Sequence, residues 1–214
     1  MNRKELKTKA KAQIKGKIGL LFVIMLIIGV LSGLATAILS IIPVVGTLAA
    51  AIIITPAFTL STVRVYLMLI DGKTPEYKDA FSGFDDFWSA FKLSFFVGLF
   101  TFLWSLLFVI PGIVKSISYS MSTYILAENK GMGALDCIRE SKEMTKGHKW
   151  ELFVLSLSFI GWGILCSITL GIALIWVIPY MNTTFANAYE SLKPTPFVAP
   201  EVPAETEVPA EIGE

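Results

Sequence analysis

Arg64 and Lys115 stand out because each falls within or at the edge of a long apolar run that is otherwise free of charge. A charge near the centre of a bilayer costs at least about 2.5 to 3.5 kcal/mol on insertion scales, so such residues are the first candidates for ligand or lipid contact. Arg64 lies about two turns from the end of its run and can snorkel to the interface; Lys115 can reach headgroups in the same way. Asp, Glu and His are missing from the apolar runs, which argues against a proton relay, an embedded metalloenzyme or an aspartyl protease. No catalytic residue, metal ligand or cofactor is therefore expected. The single histidine, His148, lies between Gly147 and Lys149 and reads as a loop residue. Cys137 and Cys166 form no CxxC and have no neighbouring histidine, so neither a disulfide framework nor a zinc site follows.

The remaining polar candidates are uncharged. Ser116, Ser118, Ser120, Ser122, Thr123 and Tyr124 make one run rich in hydroxyls, which interhelical hydrogen bonding explains without a nucleophile. Asn182-Thr183-Thr184 matches a glycosylation acceptor but falls within an apolar segment, so Asn182 and Asn187 are expected to face a helix-bundle interior. Pro56 and Pro179 each free a backbone carbonyl, and such kinks can line a cavity. Tyr66 and Tyr189 follow them at equal spacing. These eight residues, Arg64, Lys115, Pro56, Pro179, Asn182, Asn187, Tyr66 and Tyr189, are the candidate ligand or packing contacts. Gly29 to Gly33 adds a GxxxG, expected to pack against the next helix.

Positioning these residues requires membrane-scale elements. Of the 214 residues, 54% are hydrophobic and 16% charged, outside the usual soluble balance. The apolar residues gather into runs at 18–42, 44–70, 91–110, 113–127 and 152–180, and about 20 such residues suffice to cross a bilayer. Turn signals at Pro43 to Gly46, Pro111-Gly112 and Thr169 to Gly171 divide them. The expected fold is all-α: six transmembrane helices arranged as three hairpins over residues 18–192, the alternative being four, with the run at 113–127 or the second half of the run at 152–180 lying flat. A basic segment (residues 1–17) precedes them and an acidic tail (193–214) follows. Ala35-Thr36-Ala37 imitates a signal-peptidase site, but the apolar run before it is longer than a signal core and continues past it. Tyr77, Phe81, Phe84, Trp88 and Phe91 recur three or four residues apart, as in an amphipathic helix on the membrane surface.

Sixteen of the eighteen Lys and Arg residues fall on one side of this arrangement, which assigns that side, with both termini, to the cytoplasm. The formal net charge of +1 gives no case for nucleic acid. Partners are therefore the lipid bilayer and a protein met at the cytoplasmic segments or the tail, with a homo-oligomer left open. The tail, with five prolines and five glutamates after Lys193 and the pentapeptide Glu-Val-Pro-Ala-Glu twice, reads as disordered.

Internal likeness points to a repeat. Lys15-Gly16 followed by Leu21-Phe22-Val23 matches Lys146-Gly147 followed by Leu152-Phe153-Val154, and Pro56, Tyr66 and Leu69 match Pro179, Tyr189 and Leu192. Three parallel copies of a surface segment plus hairpin would result. From Ile110 to Leu192 the chain resembles a bacterial integral membrane family, domain of unknown function 975. The resemblance rests on Ile110-Pro111-Gly112, Ile125 to Asn129, Ser141 to Lys149, Phe159-Ile160-Gly161-Trp162 and Pro179-Tyr180, with the basic start fitting the family's opening. It implies a multi-pass cell-membrane location and no known reaction. The expected role is that of a non-enzymatic scaffold or accessory subunit. The alternative is a small carrier or flippase-like protein for an anionic or lipid ligand.

Overall fold

A computed structural model describes residues 2–39 and 53–193. The turn expected at Pro43 to Gly46 and the tail beyond Lys193 lie outside the described residues. Every regular element among the described residues is helical. In chain order they are α1 (Arg3–Ile14), α2 (Ile18–Leu39), α3 (Thr55–Ile70), a 3-10 helix (Tyr77–Phe84) and α4 (Phe87–Leu107). There follow α5 (Val109–Tyr119), α6 (Ser122–Glu128), α7 (Ala134–Met144), α8 (Lys149–Leu157), α9 (Ile160–Ile168) and α10 (Leu174–Leu192).

Three helices are long and apolar enough to cross a membrane: Ile18–Ile38, Phe87–Leu107 and the continuous pair Lys149–Ile168. Six were expected, so the count among the described residues is half of that. The shortfall has local causes. Only 16 residues of the second run are described as α-helix, in α3. The fourth run breaks at Ser120, between α5 and α6. The lower half of α10 carries Asn182, Thr183, Thr184 and Asn187 in place of aliphatic residues.

The two classes of helix sit differently. In the most apolar stretch of each long helix, 17%, 11% and 22% of the residues are buried. In α3, by contrast, eleven of sixteen residues are buried. Helices α3, α6 and α10 pack together at the centre, with Tyr124 of α6 stacked on Tyr189 of α10 at 5.2 Å between ring centroids. The long helices line the outside.

Two chain reversals follow from backbone chemistry. At the second expected turn the chain reverses at Phe108, which is extended, and Pro111-Gly112 falls in the first turn of α5. Proline is tolerated there because its missing N–H would have had no helical partner. A Cβ on Gly112 would come within 2.9 Å of the Ser105 Cα, so glycine permits the α4–α5 hairpin to close. At the third, Gly171 N–H donates to the Cys166 carbonyl at 2.8 Å and Gly171 takes φ 89°. Leu170 is forced to φ 48°, a left-handed conformation that a branched side chain resists.

The aromatic stripe predicted as one amphipathic helix is divided instead. Tyr77, Phe81 and Phe84 belong to the 3-10 helix, while Trp88 and Phe91 open α4. The close approach of Gly83 to α3 sets the break. For the Gly29 to Gly33 motif, a Cβ on either glycine would meet nothing within 4 Å among the described residues, and the start of the second run, against which it is expected to pack, lies outside them.

Burial recurs in register along the chain. Leu6, Ala10, Ile14, Leu21, Ile24 and Ile28 are buried, and so are Cys137, Ser141, Thr145, Leu152, Leu155 and Phe159, at identical spacing. The central helices repeat as well: Ala57, Leu60, Ser61, Arg64, Val65 and Tyr66 match Ser118, Met121, Ser122, Ile125, Leu126 and Ala127, then Tyr180, Thr183, Thr184, Asn187, Ala188 and Tyr189. All eighteen of the latter positions are buried.

Candidate functional site

The buried polar groups concentrate at three seams, each joining a central helix to a short segment that precedes an outer helix. At the first, Ser61 on α3 donates its hydroxyl to the Ala57 carbonyl at 3.1 Å and accepts Gly83 N–H at 2.8 Å. A Cβ on Gly83 would stand 2.8 Å from Ser61 N, so only glycine lets the 3-10 helix lie this close. One turn along, Arg64 is 5% exposed; it donates to the Ser82 carbonyl and pairs with the Asp86 carboxylate. Arg64 is therefore a tether between α3 and the start of α4, rather than a side chain reaching for headgroups. Its Nε has no hydrogen-bond partner among the described residues.

The second seam explains why the fourth run breaks. Ser120 N–H turns back to the Ile117 carbonyl in a 3-10 bond, and the Met121 N–H is taken by the Ser141 hydroxyl of α7 at 3.2 Å. That hydroxyl in turn donates to the Ser118 carbonyl at 2.8 Å, and Thr145 adds a donor to the Ser141 carbonyl at 2.8 Å. Both side chains are fully buried, so each group left unpaired would carry its full desolvation penalty. The hydroxyls of Ser118, Ser120 and Ser122 themselves donate to carbonyls of their own segment, at Val114, Ile117 and Tyr119, so the expected helix-to-helix bonding by this run is supplied instead by Ser141 to its backbone.

At the third seam α1 lies against α10. Leu6, Ala10 and Ile14 bury one face of α1, while Asn187 donates to the Gln13 side-chain carbonyl at 2.6 Å and to the Thr183 carbonyl at 2.9 Å. Asn187 Oδ1 and Thr183 Oγ1 are buried without partners among the described residues. Arg64 and Asn187 thus occupy the same place in the first and third burial patterns, where the second has Ile125, and do the same work. Each crosses from a central helix to a neighbouring segment.

The other sequence candidates divide between the centre and the margins. Tyr66 and Tyr189 are buried in the central bundle. Tyr189 donates to Glu128 at 2.8 Å, and Glu128 pairs with Lys193 at 2.6 Å, joining α6 to α10. Asn182 bonds its own helix at the Ile178 carbonyl, 3.0 Å away. Lys115 stands apart from this centre, with Nζ 4.5 Å from the Trp104 ring centroid. Pro56 sits in the first turn of α3, where it costs no helical hydrogen bond, whereas Pro179 is inside α10. Pro179 lines an apolar groove of about 400 Å³ between α2 and α10, together with Phe22, Met25, Gly29, Leu174 and Ile178.

Cys137 is buried on α7, and burial together with Glu140 and Asp136 pushes its thiol up to about 11. It is therefore a packing residue of low reactivity. Among the described residues no three side chains capable of holding a metal come together. Sequence reasoning missed Asp86, Gly83, Ser141, Thr145 and Gln13, all on the preceding segments. The one available signal was the repeat, since Thr145 and Ser141 align with the helical stripe of Ile14 and Ala10.

A family model described as protein of unknown function (DUF975) matches residues 1–118 and 106–195. No curated protein and no solved structure matches the chain.

Proposed function

The chain belongs to the DUF975 family of proteins of unknown function, and from that premise we propose that it is a non-enzymatic, multi-pass protein of the bacterial plasma membrane that acts as a scaffold or accessory subunit. The observation that carries this reading is the apolar exterior. Leu26, Val30, Leu34 and Ile38 on α2, Phe102 and Leu106 on α4, and Ile160, Ile164 and Ile168 on α9 are all exposed. Water would not tolerate a patch of that extent, whereas lipid is as apolar as the side chains themselves.

In this reading each outer helix crosses the bilayer, and its central partner returns the chain through a protein-lined interior. The central helices can then be shorter and more polar, since serine, threonine and asparagine at membrane depth are tolerated when their hydrogen bonds close within protein. The shared burial register supports three copies of one unit. The seams suggest how the copies join: the 3-10 helix of the second docks on α3 of the first, α7 of the third docks on α5 and α6 of the second, and α1 docks on α10. The result is a closed ring about an axis along the membrane normal, with both termini in the cytoplasm.

A ring pinned by three hydrogen-bonded seams is suited to holding a shape, which is what a scaffold requires. Carbonate extraction of membranes and reporter fusions after Gly112 and Gly171 test the topology; cytoplasmic signal at either site would overturn it. Pull-down with and without residues 194–214 tests the scaffold role, which predicts a partner enriched through the cytoplasmic segments. The groove beside Pro179 and the Thr183 and Asn187 oxygens that have no partner among the described residues favour a carrier as the second reading. That reading predicts ligand-dependent stabilisation, which substitution of Asn187 would abolish.

A further inference from the structure

We propose that the N-terminal helix builds a binding site for the phosphate of an anionic phospholipid headgroup, an inference that rests on the membrane reading above. Arg3, Lys4 and Lys7 line one open pocket of about 760 Å³ with Asn2 and Ser158. Arg3 and Lys7 lie one helical turn apart, as do Lys4 and Lys7, so the three cations converge on one face. None of the three has a carboxylate partner among the described residues, although ion pairs form elsewhere at Glu76, Asp136 and Glu143. The single acid of α1, Glu5, lines a separate cleft with Lys9, Asn187 and Glu190.

Like charges this close repel one another unless an anion sits between them. Lys7 shows that cost: burial, then Arg3 and Lys11, holds its ammonium below the usual lysine range. Its Nζ stands 4.7 Å from the Phe159 ring centroid, and Lys11 Nζ stands 5.6 Å from that of Tyr180. Cations resting on aromatic rings mark a boundary between apolar and polar surroundings. Directly beyond Phe159 the exposed side chains of Ile160 and Ile164 begin the apolar face of α9. Charge above and an uncovered aliphatic face below match the two parts of a phospholipid, whereas free phosphate would use only the upper part. Basic pockets on the cytoplasmic side of transmembrane helices bind anionic headgroups by the same means.

The test uses full-length protein in a neutral detergent, with thermal unfolding followed during titration with short-chain phosphatidylglycerol, short-chain phosphatidylcholine or sodium phosphate. Phosphatidylglycerol is expected to raise the unfolding temperature of the wild type and of K9Q/K15Q, which removes two charges outside the pocket. In K4Q/K7Q the apparent affinity should fall tenfold or more. Equal loss in both variants, an equal response to phosphatidylcholine, or full reproduction of the shift by sodium phosphate would each overturn the lipid site. Should K4Q/K7Q not fold, K7Q alone, read by native mass spectrometry, should retain fewer phosphatidylglycerol molecules than K9Q, and equal retention overturns the site. Carbonate-resistant wild type that shows no lipid preference would leave the membrane reading standing and remove this one.

Discussion

The long outer helices and the shorter central helices are built from similar alphabets and meet opposite surroundings. In α2 and α4 few of the large aliphatic and aromatic residues are buried, and those that are lie on one side, at Leu21, Ile24 and Ile28 and at Leu93. In α3 and α10 the same kinds of residue are interrupted by Ser61, Arg64, Thr183, Thr184 and Asn187, all of them buried. The lesson is that apolar side chains fill the core and also cover the outside of the long helices, while the few buried polar groups mark the joints between elements. Stability should therefore depend on the polar contacts at the seams and on the buried core, and hardly at all on the exposed hydrophobic positions of the outer helices.

The sharpest way to break this contrast is to remove one partner of the buried ion pair. Arg64→Leu strands Asp86 and should cost about 3 to 5 kcal/mol in detergent unfolding, and the double variant Arg64→Leu, Asp86→Leu should recover much of it. A loss confined to topology would instead support a snorkelling anchor. Ser141→Ala leaves Met121 N–H and the Ser118 carbonyl without that partner, and should cost about 1 to 3 kcal/mol, read as a lower unfolding midpoint. Leu170→Gly removes the left-handed strain at an exposed position and should gain about 1 kcal/mol. At the small end, Leu106→Ala on the outer face should change stability by less than about 0.5 kcal/mol, despite deleting a large apolar side chain. If Leu106→Ala costs as much as Ser141→Ala, the outer face is covered by protein rather than by lipid.

Much of the outer class was legible in the sequence, because continuous apolar runs carry their own length signal. The reversal at Thr169 to Gly171 was legible for a similar reason, with glycine marking the left-handed position. The central class was not. The fourth run looks continuous from Ile113 to Ala127, and its break depends on a hydroxyl, Ser141, supplied by a different segment. Arg64 read as a surface anchor because its partner Asp86 lies in a separate polar connection, and no spacing rule links them. Asn187 was correctly expected to face inward, yet Gln13, at the other end of the chain, gave no sign of being its partner. The Lys-Gly motif before α2 and α8 did foreshadow a shared geometry: Gly16 and Gly147 take φ of 80° and 84°. Contacts of this long range are decided by packing, which a single sequence records only through repetition.

Ring closure by α1 on α10 is the feature on which the scaffold reading depends most, and a cross-link tests it directly. In a Cys137→Ser, Cys166→Ser background, Gln13→Cys combined with Asn187→Cys should oxidise in native membranes to a disulfide within one chain. Gln13→Cys combined with Ile125→Cys, the corresponding place on the neighbouring central helix, should not. Monomeric cross-linked protein in the first pair alone is the predicted result; linked dimers, or equal cross-linking in both pairs, would contradict a ring closed within a single chain.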